Sequence, residues 1–345
     1  MDQLPVVVTY EVEADDIEKA AHVIAVGQSI GNPFLPNHAS VHEAHARILQ
    51  TSGTHGLLQV EFPAENFSSS IAHLLCVLLG GQCDIDLIRR CVVQALDLGA
   101  VALKYPRPIH GISGLGRLLH VPERPLFGTI LKPKQGFTMQ ELQMMVEARM
   151  KAGFDVIKED EVLTDTPQLP LEARTNMVSH LKRLSGWPGI YLSATHRLSD
   201  ADIVEHAGGS GLHMNVWAGF QEFLNTRWAT SLPLYFQRSG FQVWTRGPFA
   251  LSDTVFYQLV NLCGADMAQV GMTGSYLNEP VAVLKARIAA MRTTMPAFSC
   301  GLEPRHVRPL VETFGNDILL MSGGFVAAHP QGVTVALREL KRALE

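Results

Sequence analysis

The chain has 345 residues, 47% hydrophobic and 18% charged, with a formal net charge of −5. That balance excludes a strongly basic nucleic-acid or anionic-membrane surface, no apolar run is long enough to span a bilayer, and the length suits one large domain plus a smaller one. Met1-Asp2-Gln3-Leu4-Pro5 lacks the basic and apolar regions of a signal peptide, and five scattered cysteines with no C-x-x-C pair read as reduced thiols in a cytoplasmic protein.

Residues 1–115 read as an N-terminal α+β domain of ferredoxin-like type. Val6–Val12 alternates as a strand, and Asp15–Ala25 is a helix that opens on acidic residues, as the helix dipole favours. Leu57–Phe62 is a second strand and Ser68–Leu79 a second helix. Fourteen histidines are present, none in H-E-x-x-H; His42 and His45 read as structural or solvated. Pro106-Arg107-Pro108 marks the exit from this domain.

Residues 116–345 alternate strand-like and helix-like segments. The strands are Leu126–Lys132, Asp155–Lys158, Gly189–Ala194, Gly211–Val216, Pro233–Gln237, Ala265–Val270, Ala297–Cys300 and Asp317–Met321. Helical periodicity appears over Thr138–Ala152, Leu171–Leu184, Ser252–Leu262, Pro280–Met291, Pro304–Phe314 and Val333–Leu344. It is weaker after Ala194 and after Trp217. Eight βα units in this length predict a (β/α)8 TIM barrel, an α/β fold, with a doubly wound sheet as the other arrangement that alternation allows.

In such barrels the chemistry sits at the C-terminal ends of the strands. The second strand ends in Lys158-Glu159-Asp160-Glu161. Asp160 and Glu161 can supply two oxygen ligands to a hard cation such as Mg²⁺, and Lys158, carbamylated by CO₂, becomes a third. Taken alone, the tetrapeptide also fits a solvated acidic loop. Lys132-Pro133-Lys134 ends the first strand; these lysines can bind phosphate or transfer protons, or stand as a surface pair. Ser322-Gly323-Gly324 follows the last strand, and Ser299 and Gly301 end the seventh. Together they form a candidate phosphate cradle, although Gly-Gly also makes tight turns. Arg238 at the fifth strand end can fork onto an anion or onto a neighbouring loop. Gln237 and Gln269 offer hydrogen bonds and no proton transfer at neutral pH.

These motifs, in this order, resemble the RuBisCO large-subunit superfamily. Gly128–Gly136 resembles its first-strand lysine motif and Gly153–Glu161 its metal motif. His110-Gly111-Ile112 resembles its linker, and Ser322-Gly323-Gly324 with Ala328-His329-Pro330 its phosphate loop and last helix. The resemblance implies an N-terminal α+β domain before an eight-fold barrel. It implies Mg²⁺ on carbamylated Lys158, Asp160 and Glu161, proton transfer by Lys132 or by the Lys158 carbamate itself, and phosphate or substrate contacts from Lys134, Arg238, Ser299, Gly301, Gly323 and Gly324. It also implies at least a homodimer with shared active sites, in which Gln82 could reach a neighbouring subunit's site. Gln237 and Gln269 stand where RuBisCO has histidines, and Gly271–Tyr276 lacks its loop lysine. Gly27 stands where a catalytic glutamate is expected. The pattern is that of a RuBisCO-like protein and not of a carboxylase. It implies a Mg²⁺-dependent enzyme that enolises or isomerises a phosphorylated keto-sugar-like substrate. Decarboxylation of a phosphorylated 3-oxo sugar acid is one alternative, and a non-catalytic metabolite-binding relative is the other.

Overall fold

The computed structural model describes residues 4–121 and 123–345 and falls into two compact units. The first comprises Met1–Pro106 and Gly240–Leu262, the second Arg107–Ser239 and Cys263–Glu345.

The first unit is built on β1 (Val6–Ala14), β2 (His45–Ser52), β3 (His55–Phe62) and β4 (Ile88–Asp97), with α1 (Ile17–Gly27) after β1 and α2 (Ile71–Leu78) after β3. β1 pairs antiparallel with both β3 and β4, and β2 adds to β3, giving the order β4-β1-β3-β2. With its two helices this is the ferredoxin-like βαββαβ arrangement. β1 alternates strictly, its Val6, Val8, Tyr10, Val12 and Ala14 side chains buried, as a strand with one face on a core requires. Asp16 and Ser70 cap α1 and α2 by accepting from the backbone N–H three residues on. The stretch Gly240–Leu262 leaves the run of barrel units and joins this sheet. Its β10 (Phe249–Leu251) pairs parallel with β4, Ser252 N–H donates to Val93 O, and Gln258 donates to Leu96 O. The helix expected over Ser252–Leu262 is present as Asp253–Leu262.

In the second unit, eight parallel strands close into a barrel: β5 (Leu126–Ile130), β6 (Val156–Lys158), β7 (Ile190–Thr195), β8 (Leu212–Asn215), β9 (Leu234–Gln237), β11 (Met267–Gly271), β12 (Met295–Phe298) and β13 (Leu319–Ser322). β13 pairs with β5, which closes the ring and rules out the open doubly wound sheet. Nearly every strand residue is buried, as parallel strands covered on both faces must be. Leu126, Val156, Ile190, Leu192, Tyr235, Met267, Met295, Leu319 and Met321 form the interior core, joined by Leu115 and Leu119 from the helix Gly111–Leu118 and the residue after it. Thr138 and Glu141 form a reciprocal capping box at the start of the helix Met139–Ala152. The two stretches with weak helical periodicity are helices too, Leu198–His206 and Phe220–Ala229.

One buried carboxylate ties the strand N-terminal end of this barrel together. Asp266 accepts from the backbone N–H of His110, Gly111 and Leu234 and from Arg227 Nη1 at 2.8 Å. Both partners of the ion pair are buried. Removing one partner of such a pair strands the other charge, at a cost of about 3–5 kcal/mol. Asp266→Ala should therefore lower the thermal unfolding midpoint of the barrel far more than Asp200→Ala, whose partner Arg197 is exposed; equal shifts in a calorimetric melt would contradict this role.

Candidate active site

The tetrapeptide at the end of β6 divides by strand alternation. Lys158 is completely buried. Its Nζ donates to Glu159 O at 3.1 Å, faces His213 Nε2 at 3.2 Å and lies 3.6 Å from Glu161 Oε2. The Tyr235 ring lies 5.5 Å from it. Burial pulls the Lys158 ammonium down from its ordinary range to about 8, although Glu161 and Asp160 favour its charge. Asp160, also buried, receives Lys132 Nζ at 2.5 Å on Oδ2, with Lys134 Nζ 3.8 Å from Oδ1. Glu161 Oε1 accepts from Ser239 Oγ at 2.7 Å and from Gln237 Nε2 at 3.4 Å. Burial raises the Glu161 carboxyl, but the Lys158 charge and the Ser239 hydroxyl outweigh this and hold it below the ordinary carboxylate range.

Glu159 takes the opposite face. It accepts from Arg174 Nε at 2.9 Å, Tyr191 OH at 2.8 Å and the backbone N–H of Ala194 at 2.6 Å. These contacts use a side chain from the helix Leu171–Ser185 and two groups of β7 to fix the backbone that carries Lys158 and Asp160.

Further round the mouth, Gln237 Nε2 donates to Gln269 Oε1 at 2.7 Å, and Gln269 Nε2 donates to Ser299 Oγ at 2.6 Å. The two glutamines and Ser299 thus form one chain of hydrogen bonds that begins at Glu161. Arg238 forks onto Glu279, Nη1 at 3.2 Å and Nη2 at 2.5 Å, the neighbouring-loop partner that the sequence left open. Arg287 shares Glu279 at 2.7 Å.

Gly323 packs against the first-strand lysine. A Cβ there would meet Lys132 Cε at 3.3 Å and Ile130 Cβ at 3.4 Å. Gly301, at φ 86°, adopts the left-handed backbone that favours glycine, and a Cβ would run into the Tyr276 ring at 2.8 Å. Gly301 and Gly324 line a cavity of about 380 Å³ with Ser275, Tyr276 and Phe325.

The structure therefore brings Lys132, Lys134, Lys158, Asp160, Glu161, Gln237, Gln269 and Ser299 into one set of contacts. Gln82 lies outside the described residues as regards its side chain. Sequence reading missed His213, buried and with its ionisation pushed well below the ordinary imidazole range by burial and by Lys158. It missed Ser239 and Glu279 as well. The one signal for His213 was a histidine within the short apolar strand Leu212–Asn215.

Among the described residues no group of three or more His, Cys, Asp or Glu side chains is placed to hold a metal. Two carboxylates are available at the mouth, each already facing a lysine. Conversion of Lys158 to a carbamate would replace a buried cation by a third oxygen ligand. Asp160, Glu161 and that carbamate form a donor set suited to a hard divalent cation, and the residues present fit Mg²⁺ on that condition. No helix among the described residues is long and apolar enough to cross a membrane.

Comparison with known proteins agrees with the motif reading. The family model of the ribulose bisphosphate carboxylase large chain, catalytic domain, matches residues 111–186. An uncharacterized ribulose bisphosphate carboxylase-like protein of Bordetella bronchiseptica is 29% identical over 314 residues, spanning 84% of this chain and 74% of that protein. A 3-oxo-isoapionate-4-phosphate decarboxylase of Rhizobium rhizogenes is 25% identical, spanning 99% of this chain and 93% of that one. A 2,3-diketo-5-methylthiopentyl-1-phosphate enolase of Exiguobacterium sibiricum is 26% identical, spanning 98% and 91%. Among solved structures, the octameric RuBisCO of Pyrococcus horikoshii superposes with a TM-score of 0.90 at 22% identity, covering 99% of this chain and 87% of that one. A RuBisCO-like protein of Burkholderia fungorum gives 0.85 at 24%, covering 99% and 94%. The chain is thus similar to RuBisCO large chains and RuBisCO-like proteins along nearly its whole length, and the fold is theirs.

Only the free amine of a lysine reacts with CO₂, and a base whose pKa is lowered sheds its proton at lower pH. At constant dissolved CO₂, carbamate on Lys158 should therefore rise several-fold between about pH 7 and about pH 9, whereas an ordinary lysine follows in a higher range. A carbon-13 NMR titration of the carbamate resonance measures the profile, and a rise confined to the higher range would contradict the burial effect.

Proposed function

We propose that this chain is a RuBisCO-like enzyme that enolises or isomerises a phosphorylated keto-sugar-like substrate through an enediolate, without fixing CO₂. The observation that carries the proposal is Lys158. A lysine kept wholly out of water, lowered toward neutral pH and faced by Glu161 beside Asp160 is unfavourable as mere structure and well suited to carbamylation.

Lys158 as its carbamate, Asp160 and Glu161 would hold Mg²⁺. When bound, the ion supplies Lewis-acid stabilisation of the negative charge that develops on the ketone oxygen. The chain's own side chains supply the rest. Lys132, hydrogen-bonded to Asp160 at 2.5 Å, would move the proton at the carbon beside the ketone. Gly323, Gly324, Gly301 and Ser299, at the ends of β12 and β13, would hold phosphate, with Lys134 contributing charge. Fixing the phosphate orients the reacting carbons and removes part of the entropic barrier. The Gln237–Gln269–Ser299 chain would orient substrate oxygens without transferring a proton at neutral pH. The loop Gly271–Tyr276 has no lysine to grip CO₂, so carboxylation is not part of the proposal. The relatives named above as an enolase and a decarboxylase carry substrate names with a keto group and a phosphate, in keeping with this substrate class.

A second reading, decarboxylation of a phosphorylated 3-oxo acid, draws on the position of Lys132. Its Nζ donates to Asp160, and in this reading it would deliver a proton to the substrate. Loss of CO₂ from a 3-oxo acid leaves the electron pair as an enolate, which needs only one proton delivered to carbon.

The assembly we propose is a homodimer with shared active sites. An active monomer in size-exclusion chromatography with light scattering would refute it. For the chemistry, incubation of phosphorylated keto-pentose derivatives in D₂O with Mg²⁺ and bicarbonate should exchange a substrate C–H, read by proton NMR. Lys158→Ala should slow this by at least about a thousandfold, and full activity in that variant would refute Lys158 as ligand. Release of CO₂ from a 3-oxo acid without exchange of the keto-pentoses would select the second reading.

A further inference from the structure

We infer that His306 is a positioning residue: it latches the loop 271–279 to the helix Pro304–Phe314, so that the loop stands as a fixed wall of the phosphate cradle with Tyr276 laid on Gly301. The inference rests on the reading of Gly301 and Gly324 as phosphate contacts.

The latch has a defined direction. The backbone N–H of Glu303 donates to His306 Nδ1 at 3.0 Å. A backbone N–H can only donate, so Nδ1 carries the lone pair and Nε2 the proton. Nε2 in turn lies 3.0 Å from the carbonyl oxygen of Gly274, which can only accept. One buried neutral imidazole thus joins two backbones, the capped start of the helix on one side and the loop on the other. Gly274 stands at φ 75°, in the left-handed region that favours glycine, and its own N–H is held by Asn278 Oδ1 at 2.9 Å.

The rest of the loop is fastened as well. Ser275 Oγ donates to the carbonyl of Cys300 at 2.6 Å, and the N–H of Ser299 donates to Gly271 O at 3.3 Å. At the far end the N–H of Glu279 donates to Met272 O, and its carboxylate is held by Arg238 and Arg287. These contacts lay the Tyr276 ring on Gly301, where a Cβ would meet two ring carbons at 2.8 Å. Tyr276 is 84% exposed, so the loop backbone, and not burial, holds the ring there. The cavity of about 380 Å³ takes its lining from the loop, through Ser275 and Tyr276, as well as from Gly301 and Gly324. A phosphate entering it meets a wall already in place. A loop released at Gly274 would have to be ordered when phosphate binds, which weakens binding.

The test uses the full chain with inorganic phosphate as the probe. Hydrogen–deuterium exchange read by mass spectrometry should find the amides of residues 271–279 protected before phosphate is added, with no more than about twofold further slowing afterwards. Protection that appears only with phosphate overturns the standing wall, and this measurement needs no variant. His306→Asn places an amide oxygen near the Nδ1 position, which keeps the helix cap, and loses the donor to Gly274. His306→Gln places an NH₂ near the Nε2 position and keeps that donor. In His306→Asn, exchange over residues 271–279 should quicken about tenfold, the weight of one hydrogen bond, and phosphate affinity by calorimetric titration should fall about as much. His306→Gln should stay within about threefold of wild type in both. A residue that served the helix alone would give the reverse order, Gln worse than Asn, and that result overturns the inference. Equal phosphate binding in all three proteins overturns the role of His306 and leaves the cradle standing. No phosphate bound by the wild type overturns the cradle reading, and this inference with it.

Discussion

The barrel mouth is organised around a lysine ammonium held out of water, and that burial decides what each neighbour can be. A buried charge must be paired or must give up its proton. Lys158 does some of both. Glu161 stands 3.6 Å away while the ammonium is pulled down to about 8. The apolar wall supplied by Tyr235 keeps water from restoring the lost hydration. Asp160 is pinned from the other side by Lys132. The mouth thus alternates cation, anion, cation and anion, and adding CO₂ to Lys158 would invert one sign in that series. A divalent cation would then be the natural complement.

The precision of this arrangement depends on a residue that never enters the mouth. Successive strand side chains point to opposite faces, so Lys158 and Asp160 share the inner face while Glu159 points outward. There it is fully satisfied by Arg174, Tyr191 and the Ala194 amide. Those three contacts tie β6 to β7 and to the following helix just where the functional side chains leave the strand. Glu159, to which the sequence analysis assigned no role, is the anchor of the two carboxylates that it did assign.

Much of this could be read from the chain alone, for identifiable reasons. Parallel barrel strands are continuous apolar runs, so all eight were legible, as were helices such as Met139–Ala152 with a capping box at its start. The edge strand β2, His45–Ser52, was not. Seven of its eight residues are exposed and the eighth is half-buried, so no alternating apolar face marks it. β10 was hidden because three residues carry too little pattern, and its partner β4 lies far away in sequence. At the site, the metal and lysine motifs were legible because they are local. The partner of Arg238 was not fixed, because Glu279 reaches it across some forty residues of chain. His213 was hidden for a related reason, since its meaning lies in facing Lys158 from two strands away.

The hydrogen-bond chain from Glu161 through Gln237 and Gln269 to Ser299 has a fixed polarity. An ionised carboxylate can only accept, so the Gln237 amide must turn its NH₂ toward Glu161 and Ser239. That NH₂ has two hydrogens for three acceptors, with the Gln269 oxygen and Ser239 the nearer and Glu161 the more distant, and the bond to the Gln269 oxygen leaves Gln269 to donate onward into Ser299. Having accepted from Gln269, the Ser299 hydroxyl keeps its hydrogen and a second lone pair. The charge on Glu161 is in this way transcribed, one amide at a time, into the direction in which the amide of Gln269 points at the opposite rim.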